Sequence, residues 1–438
     1  MSETKTICVI GTNEFNLSMI RDIPEAKDWR VEPILDNDDV LPRVDGIEFD
    51  RIVETARERI DALGAPPDAI IGHLDFPVTG AVAMLNRHYG LRGASPETVA
   101  LLEHKYWLRQ TQARLFPDRT PACVPLNPFD PVSARRDAPE YPFWLKPVKA
   151  HSSILGMRVC DAGYLDAGLH ACRLAIHRHG EPFTTFLHEL EEIEGVDHAV
   201  DGNFAIAEEI IAAPRLFTVE GFVRGGEVTV YAVIETMRGG PSGSSLVCYL
   251  YPGPVPEAAA ERARGILATL FEHIGFEDGP FNAEFFYDDE AETLDLLEVN
   301  PRISKSHSPL LRMVDGASHH RQMIQLALGE EPVMPAGEGE HPMAAKFMIR
   351  SAEPDGIVKR VPSEAEIAEL KRLLPALEPE ILVEEGQRLS ELPDQEVYSY
   401  ELADLFIGGS SREVIEDAYS RCRASLEFAI KPLPEAYP

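Results

Sequence analysis

Acidic and amide side chains recur in two late segments of the chain, "FNAEFFYD" and "TLDLLEVNPR". Both segments alternate like strands, and the acidic stretch "DEAE" between them is typical of a hairpin loop. Period two places Asn282 and Glu284 on one face of the first strand, and Leu296, Glu298 and Asn300 on one face of the second. If the two faces coincide, two carboxylates and two amides converge.

These residue types suit a metal ion that is bound together with a nucleotide. Hard oxygen ligands from a few carboxylates, with other positions left to phosphate and water, are typical of Mg²⁺ sites. Arg302 follows directly, and its guanidinium can pair with a carboxylate or a phosphate. The alternative is a row of exposed polar positions on a half-solvated sheet. The combined spacing through Arg302 favours the metal site.

The elements ahead of this hairpin predict an α/β (α+β) chain. The first hundred residues alternate strand-like and helix-like segments, which predicts a small parallel α/β layer: "TICVIGT", "VEPILD", "RIVETARERIDALG", "DAIIGH" and "VTGAVAMLNRHYG". Gly11 indicates a tight turn rather than a dinucleotide site, because the G-x-G-x-x-G pattern is absent. "SPETVALLEHKYWLRQTQARLF" predicts one helix, and "TPACVPLNPFDPV" predicts a surface linker.

A β-rich block and a mixed C-terminal region follow. The predicted domains are 1–100, 101–335 and 336–438. The boundary near 335 rests on the stretch "PAGEGEHPMAAK", which is rich in proline and glycine. The acidic segment 187–203 has no assignable element.

Composition limits the classes of function. The chain is 44% hydrophobic and 26% charged, as in ordinary globular proteins, and the net charge of -32 argues against a nucleic-acid or anionic-membrane partner. No apolar run approaches the ~20 residues of a membrane span, and "MSETKTICVI" does not have the pattern of a signal peptide, so we expect a cytoplasmic protein. The six cysteines form no C-x-x-C pair, so neither zinc nor a disulfide framework is indicated.

"NAEFFYD" followed by "LLEVNPR" resembles the metal-binding end of the ATP-grasp ligases, the family that includes biotin carboxylase, D-alanine:D-alanine ligase and the L-amino-acid ligases. The resemblance covers nearly the whole chain. It implies an ATP-grasp fold with an N-terminal Rossmann-like domain and a C-terminal α+β domain. It also implies that the ATP-grasp domain, 101–335, has two lobes split near 205. It also implies that Glu284 and Glu298 bridge Mg²⁺, that Asn300 completes the shell, and that Arg302 is catalytic, steadying the phosphorylated intermediate.

Two lysines match the nucleotide-binding lysines of this family. Lys105 lies in "LLEHKYWLRQ", and Lys146 lies in "FWLKPVKAHSS" ahead of the phosphate-covering loop. That loop is usually glycine-rich, whereas here Ser152 and Ser153 would bind the phosphate with their hydroxyls and backbone N–H groups.

The segment "AIAEEII" resembles the adenine hinge of the family. This implies adenine contacts from the backbone of Glu209 and Ile211 and from the Glu208 side chain. The acid that usually binds the ribose is missing near Arg215, and Glu220 would substitute for it.

The resemblance implies an ATP-dependent, ADP-forming carboxylate–amine ligase that acts through an acylphosphate, with ATP and Mg²⁺, or Mn²⁺ as an alternative ion. Ser306 and His307 in "SKSHSPLL" are the expected substrate contacts, with His307 either a catalytic base or a surface residue. Arg238 either binds a second carboxylate or caps a loop. His319 and His320 are predicted to lie on a helix surface, because adjacent helical positions diverge.

Two other functions stay open from the sequence. One is a biotin carboxylase-like carboxylating enzyme, against which the poor glycine content of the loop and the lack of a biotinyl-acceptor motif argue. The other is a nucleotide-binding regulatory protein without turnover, which would not need the full set of metal ligands. The expected partners are small-molecule carboxylates and amines that resemble amino acids, and analogy allows a homodimer.

Overall fold

The computed structural model describes residues 4–42, 46–150, 155–240, 245–351, 355–392, 395 and 399–433. Ser152 and Ser153 lie outside these residues. The chain divides into two compact units, a first of Met1–Ala232, Val255–Lys305 and His320–Val333, and a second of Val233–Pro254, Ser306–His319 and Met334–Pro438. The three-domain division stays a prediction.

The first unit begins with the parallel layer that the sequence predicts. Its elements are β1 (Lys5–Thr12), α1 (Glu14–Arg21), β2 (Trp29–Asp36), α2 (Asn37–Val40), α3 (Phe49–Asp61), β3 (Ala69–Ile71), α4 (Val78–Tyr89), α5 (Pro96–Glu103) and α6 (Lys105–Leu115). The strand order is β2-β1-β3, and both pairings are parallel. Ile7 and Val9 of β1 are fully buried and belong to the same core cluster as Ile324. The carboxyl ends of β1 and β3 therefore share one edge.

The single helix predicted over "SPETVALLEHKYWLRQTQARLF" is wrong, because His104 divides it into α5 and α6. His104 has extended backbone angles, φ −85° and ψ 96°, and its Nδ1 accepts the N–H of Trp107 at 3.2 Å, which caps α6. The other ring nitrogen contacts the carbonyl of Val200 at 3.0 Å. A tertiary contact in the acidic segment therefore stabilises the break.

A small antiparallel sheet follows in the same unit, with the order β4-β7-β5-β6. Its elements are β4 (Cys123–Leu126), α7 (Pro131–Asp137), β5 (Phe143–Pro147), β6 (Met157–Val159), α8 (Ala162–Ala175), α9 (His177–His188) and β7 (Ala205–Glu208). The predicted linker "TPACVPLNPFDPV" is thus partly wrong, since it contains β4. Among the described strands β4 pairs only with β7, and an edge strand tolerates Pro125, which has no N–H to donate.

The hairpin that carries the acidic residues completes the first unit. Its elements are β8 (Arg215–Arg224), α10 (Glu257–Ile274), β11 (Asp278–Asp288), β12 (Thr293–Asn300) and α12 (His320–Ala327), and β11 pairs antiparallel with both β8 and β12. The prediction that Leu296 shares a face with Glu298 is wrong. A bulge at Leu297 pairs Leu296 with Phe285 and Glu298 with Glu284, so Leu296 points into the core.

The second unit has a five-stranded antiparallel sheet with the order β9-β10-β13-β16-β15. Its elements are β9 (Glu227–Gly239, from residue 233 onward), β10 (Ser245–Tyr251), α11 (Ser308–Asp315), β13 (Met343–Ser351), β14 (Gly356–Arg360), α13 (Glu364–Leu373), β15 (Leu377–Ile381), β16 (Tyr400–Gly409), α14 (Arg412–Ser425) and β17 (Ala429–Pro432). Its core includes Leu250, Ile407 and Ile415. Within the described ranges, none of the helices combines the length and apolarity of a membrane span.

Candidate active site

The acidic residues of the hairpin lie directly opposite each other, as the sequence predicts. Glu284 faces Glu298 and Asn282 faces Asn300 across the β11–β12 ladder. Asn300 Nδ2 donates to Asn282 Oδ1 at 3.3 Å, and Asn282 Nδ2 donates to Glu220 Oε1 on β8 at 2.7 Å. Two carboxylates and two amides therefore converge, with Glu220 as a third acid beside them.

Lys105, at the start of α6, reaches this cluster. Its Nζ lies 3.7 Å from Glu298 Oε2 and donates to the carbonyl of Ala150 at 2.7 Å. Burial would raise the pKa of Glu298, but the charges of Lys105 and Lys146 outweigh it and hold that pKa below its ordinary value. Glu298 is therefore a carboxylate at neutral pH, which is the form that binds a metal.

Glu208, at the end of β7, lies between two cations. Its Oε1 accepts from Arg109 Nε at 2.6 Å, and its Oε2 lies 2.6 Å from Lys146 Nζ on β5. Burial would raise the pKa of Glu208, but Arg109 and Lys146 lower it to about 2. Arg109 also donates to the carbonyl of Leu296 at 3.0 Å, which links this group to the hairpin. The predicted adenine contact of the Glu208 side chain stays a prediction.

Arg302 is held by an acid from the parallel layer. Its Nε and Nη2 both donate to Asp75 Oδ1, at 3.0 and 2.7 Å. Asp75 follows β3, so the carboxyl end of a parallel strand supplies the partner. Nearby, the N–H of Ser304 donates to Glu220 Oε1 at 3.3 Å. The guanidinium is thereby fixed at the end of the hairpin.

A further buried ion pair lies between the layer and the small sheet. Lys149 contacts Glu103, the last residue of α5, and both side chains are almost fully buried. Thr79 Oγ1 donates to the same carboxylate at 2.8 Å. The charge of Lys149 contributes to lowering the pKa of Glu298, so this pair belongs to the electrostatic surroundings of the site.

The charges of this cluster fit a metal–nucleotide complex better than a nucleotide alone. Among the described residues, its ionisable side chains are six acids and five bases, namely Asp75, Glu103, Glu208, Glu220, Glu284 and Glu298 with Lys105, Arg109, Lys146, Lys149 and Arg302. A triphosphate would add negative charge to a cluster whose described side chains are already slightly acidic, so bound cations would be needed to offset it. In the described part of the chain, no three His, Cys, Asp or Glu side chains are placed to hold a metal by themselves. An ion at Glu284 and Glu298 would need the Asn300 amide and phosphate oxygens.

The predicted hinge lies immediately after β7. The N–H of Glu209 donates to the carbonyl of Ala122 at 2.9 Å. An adenine contact at Glu209 would therefore have to use its carbonyl, which can accept from an amino group. Ile211 is half-buried two residues further on. The hinge and ribose assignments, including that of Glu220, stay predictions.

The remaining candidates lie mostly in the second unit. Ser306 Oγ accepts from Lys346 Nζ at 3.0 Å, and Arg238 is exposed at the end of β9. His307 is 2% exposed and packs edge-on against Tyr249 at 4.8 Å between ring centroids, so its alternative as a surface residue is wrong. Its role as a base stays a prediction.

The surface positions predicted for His319 and His320 are also wrong. Both residues are fully buried. His319 Nε2 hydrogen bonds with Ser308 Oγ at 2.8 Å in the second unit, whereas His320 begins α12 in the first unit and packs edge-on against His73 at 5.2 Å. Six of the eight residues of α12 are buried, including His320, so this helix offers few surface positions.

Sequence reasoning missed Asp75 and Arg109, although each had a signal. Asp75 follows the buried strand "DAIIGH", at the carboxyl edge where α/β layers usually bind ligands. Arg109 lies four residues after Lys105 on one helix, so the two side chains share a face. Neither signal identifies a site residue until its partner is known, which is Arg302 for Asp75 and Glu208 for Arg109.

Comparisons with solved structures identify the fold. An L-amino acid ligase from Bacillus licheniformis superposes with a TM-score of 0.73 at 16% identity, covering 99% of this chain and 100% of the ligase. A biotin carboxylase from Campylobacter jejuni gives 0.62 at 15% identity, covering 98% and 92%, and an N5-carboxyaminoimidazole ribonucleotide synthetase from Thermotoga maritima gives 0.60 at 14%, covering 98% and 100%. No protein-family model and no curated protein sequence matches the chain. The chain has the ATP-grasp fold, which confirms the predicted fold.

Proposed function

We propose that this chain is an ATP- and Mg²⁺-dependent, ADP-forming carboxylate–amine ligase that acts through an acylphosphate. The observation that carries the proposal is the direct cross-strand pairing of Glu284 with Glu298, with Lys105 3.7 Å from Glu298. A pair of opposed carboxylates beside a lysine suits a metal-bound triphosphate, because phosphoryl transfer depends on positioning and charge neutralisation.

Different side chains would bind the metal ion and the phosphates. Glu284, Glu298 and Asn300 would hold Mg²⁺, which supplies charge neutralisation at the phosphates when bound. Lys105 and Lys146 would contact phosphate oxygens. Lys146 lies on β5 of the small sheet, where its ion pair with Glu208 fixes its position.

Arg302 would stabilise the acyl phosphate and the carboxylate from which it forms. Its two N–H groups already form a fork around one oxygen of Asp75, and the same fork fits a carboxylate or a phosphate. In the second step an amine attacks the acyl carbon, phosphate leaves, and the amine proton passes to a base or to solvent.

An amino acid or a close analogue is the acyl donor that we favour. The support is the higher TM-score against the L-amino acid ligase, 0.73, than against the biotin carboxylase, 0.62. The carboxylating alternative predicts bicarbonate as the acyl donor, so a substrate panel can distinguish the two.

The test is a panel of amino acids, hydroxy acids, dicarboxylates and bicarbonate, with ATP, Mg²⁺ and hydroxylamine as the acceptor. Release of ADP and phosphate together with a hydroxamate is the expected result for at least one amino acid. Activity with bicarbonate alone would favour the carboxylating enzyme. ATP binding without phosphate release for any member of the panel would favour a regulatory protein and contradict the proposal.

A matched pair of variants tests the metal assignment. Glu298→Gln keeps the shape of the side chain but removes the charge, so turnover should fall at least ~100-fold while the fold is kept. Glu290→Gln changes an exposed residue in the turn of the same hairpin and should leave turnover unchanged. Undiminished turnover in Glu298→Gln would remove Glu298 from the metal site.

A further inference from the structure

A cavity of about 70 Å³ lies in the first unit, on the side of β3 that faces α4. Its walls come from β3, α4, the loop before α5, the start of β11 and α12, and include Ile71, Ala83, Pro280 and Leu326. Fourteen of its eighteen lining residues are apolar or glycine, which makes it unlike the charged cluster described above. Pro301, between Asn300 and Arg302, is one of its walls.

One polar atom in this cavity has no hydrogen-bond partner among the described residues. Asn86, on α4, is 5% exposed, and its Nδ2 donates weakly to the carbonyl of Ile70 at 3.4 Å. Its Oδ1 is fully buried and accepts no hydrogen bond from the described residues. A buried amide oxygen without a donor is costly, and native structures rarely keep one without a reason.

The other polar residues of the lining do not satisfy this oxygen. Thr79 Oγ1 donates to Glu103, outside the cavity. Arg92 and Asp278 pair with each other at 3.4 Å, and the Arg92 side chain is 56% exposed, so this ion pair marks the opening to solvent. A buried water needs two to four polar partners, and a predominantly apolar lining offers too few.

We propose that this cavity binds a compact, uncharged, largely apolar molecule that donates one hydrogen bond to Asn86 Oδ1. The apolar walls take up the body of the ligand, and the amide oxygen selects for an N–H or O–H group. The volume is about half of the ~150 Å³ that holds the six carbon atoms of benzene, so about three non-hydrogen atoms of the ligand lie inside the cavity and the rest of the molecule extends toward Arg92. This inference does not depend on the proposed reaction.

The test uses two probes of the same shape, pyrrole and furan, which differ in that only pyrrole has an N–H donor. Binding to the full chain is followed by the methyl NMR signals of Ile71, Val82 and Leu326. We expect pyrrole to shift these signals and to bind at least tenfold more tightly than furan. Equal affinity for the two probes would overturn the proposal. The absence of a shift with either probe at about 50 mM would also overturn it, because this concentration is on the order of ten times the mM dissociation constants expected for probes of this size.

A matched pair of variants locates the acceptor. Asn86→Leu removes the buried oxygen at nearly constant volume and should abolish the preference for pyrrole over furan. Asn16→Leu is the control, because Asn16 is 2% exposed, also has a buried Oδ1 without a partner among the described residues, and lies on α1 away from the cavity. Asn16→Leu should keep the tenfold preference. A preference that persists in Asn86→Leu would contradict the assignment, and the wild-type comparison decides the question if that variant does not fold.

Discussion

Glu208→Gln should destabilise the first unit strongly at neutral pH. Glu208 is 4% exposed and lies 2.6 Å from both Arg109 and Lys146, so the substitution leaves two buried cations with only a neutral partner. Breaking a buried ion pair in this way typically costs ~3–5 kcal/mol. The lowering of the Glu208 pKa from 4.5 to about 2 corresponds to a cost of the same order, about 3 kcal/mol.

The sign of the pH dependence follows from the direction of this shift. The pKa of Glu208 is lower in the folded protein than its ordinary value, so its contribution is complete above pH 4.5 and is lost as the pH falls toward 2. The wild type should lose ~1 kcal/mol of this contribution at pH 4 and ~2 kcal/mol at pH 3. The gap in stability between wild type and Glu208→Gln should therefore narrow as the pH falls.

Urea unfolding followed by tryptophan fluorescence measures this gap, since Trp144 on β5 lies opposite Glu208 in the small sheet. The matched control is Glu209→Gln, which changes the neighbouring, exposed carboxylate and should cost less than ~0.5 kcal/mol. A gap below ~1 kcal/mol at pH 7, or one that stays constant between pH 7 and pH 4, would refute the electrostatic reasoning for Glu208.

Three further substitutions test other parts of the structure. Arg302→Lys replaces the guanidinium fork that holds Asp75 with a single ammonium group. We expect kcat of the proposed reaction to fall ~100-fold and the stability in urea to stay nearly unchanged. An unchanged kcat would contradict the role of the guanidinium. Lys346→Met leaves the buried carboxylate of Asp404 without the ammonium group that lies 2.7 Å from it, and should lower the free energy of unfolding in urea by ~3 kcal/mol. The double variant with Asp404→Leu should recover most of that free energy. Ser363→Ala removes the capping box of α13 and should cost ~1 kcal/mol, measured in the same assay.

The sequence predicted best those parts of the fold that depend on local alternation. The parallel layer and the hairpin of Glu284 and Glu298 follow from period-two and period-3.6 patterns that a single segment displays by itself. The bulge at Leu297 could not be predicted, because it depends on which residue of the neighbouring strand each position faces. The break at His104 likewise depends on the carbonyl of Val200, 96 positions later.

In the candidate site, too, residues within one sequence stretch could be predicted, whereas contacts between distant stretches could not. Glu284, Glu298, Asn300 and Arg302 were predicted together because they lie within one short stretch of sequence. The partner of Arg302 is 227 positions away in Asp75, and no local pattern connects the two. Composition could not assign that pair, since the chain has 73 acids for 41 Lys and Arg residues and almost any base has many candidate partners.

The pairing of cations with acids outside the hairpin would allow the proposed site to hold both metal ligands and phosphate ligands. Lys146 pairs with Glu208, and Arg302 pairs with Asp75, so neither cation needs to pair with the opposed carboxylates of Glu284 and Glu298. A buried ion pair fixes its rotamers, which lowers the reorganisation needed when a phosphate arrives. Burial lowers the pKa of Lys146, and the charge of Glu208 opposes that effect. Neutralising Glu208 or Asp75 should therefore weaken the binding of ATP or of the acyl donor even though neither carboxylate is expected to coordinate the metal.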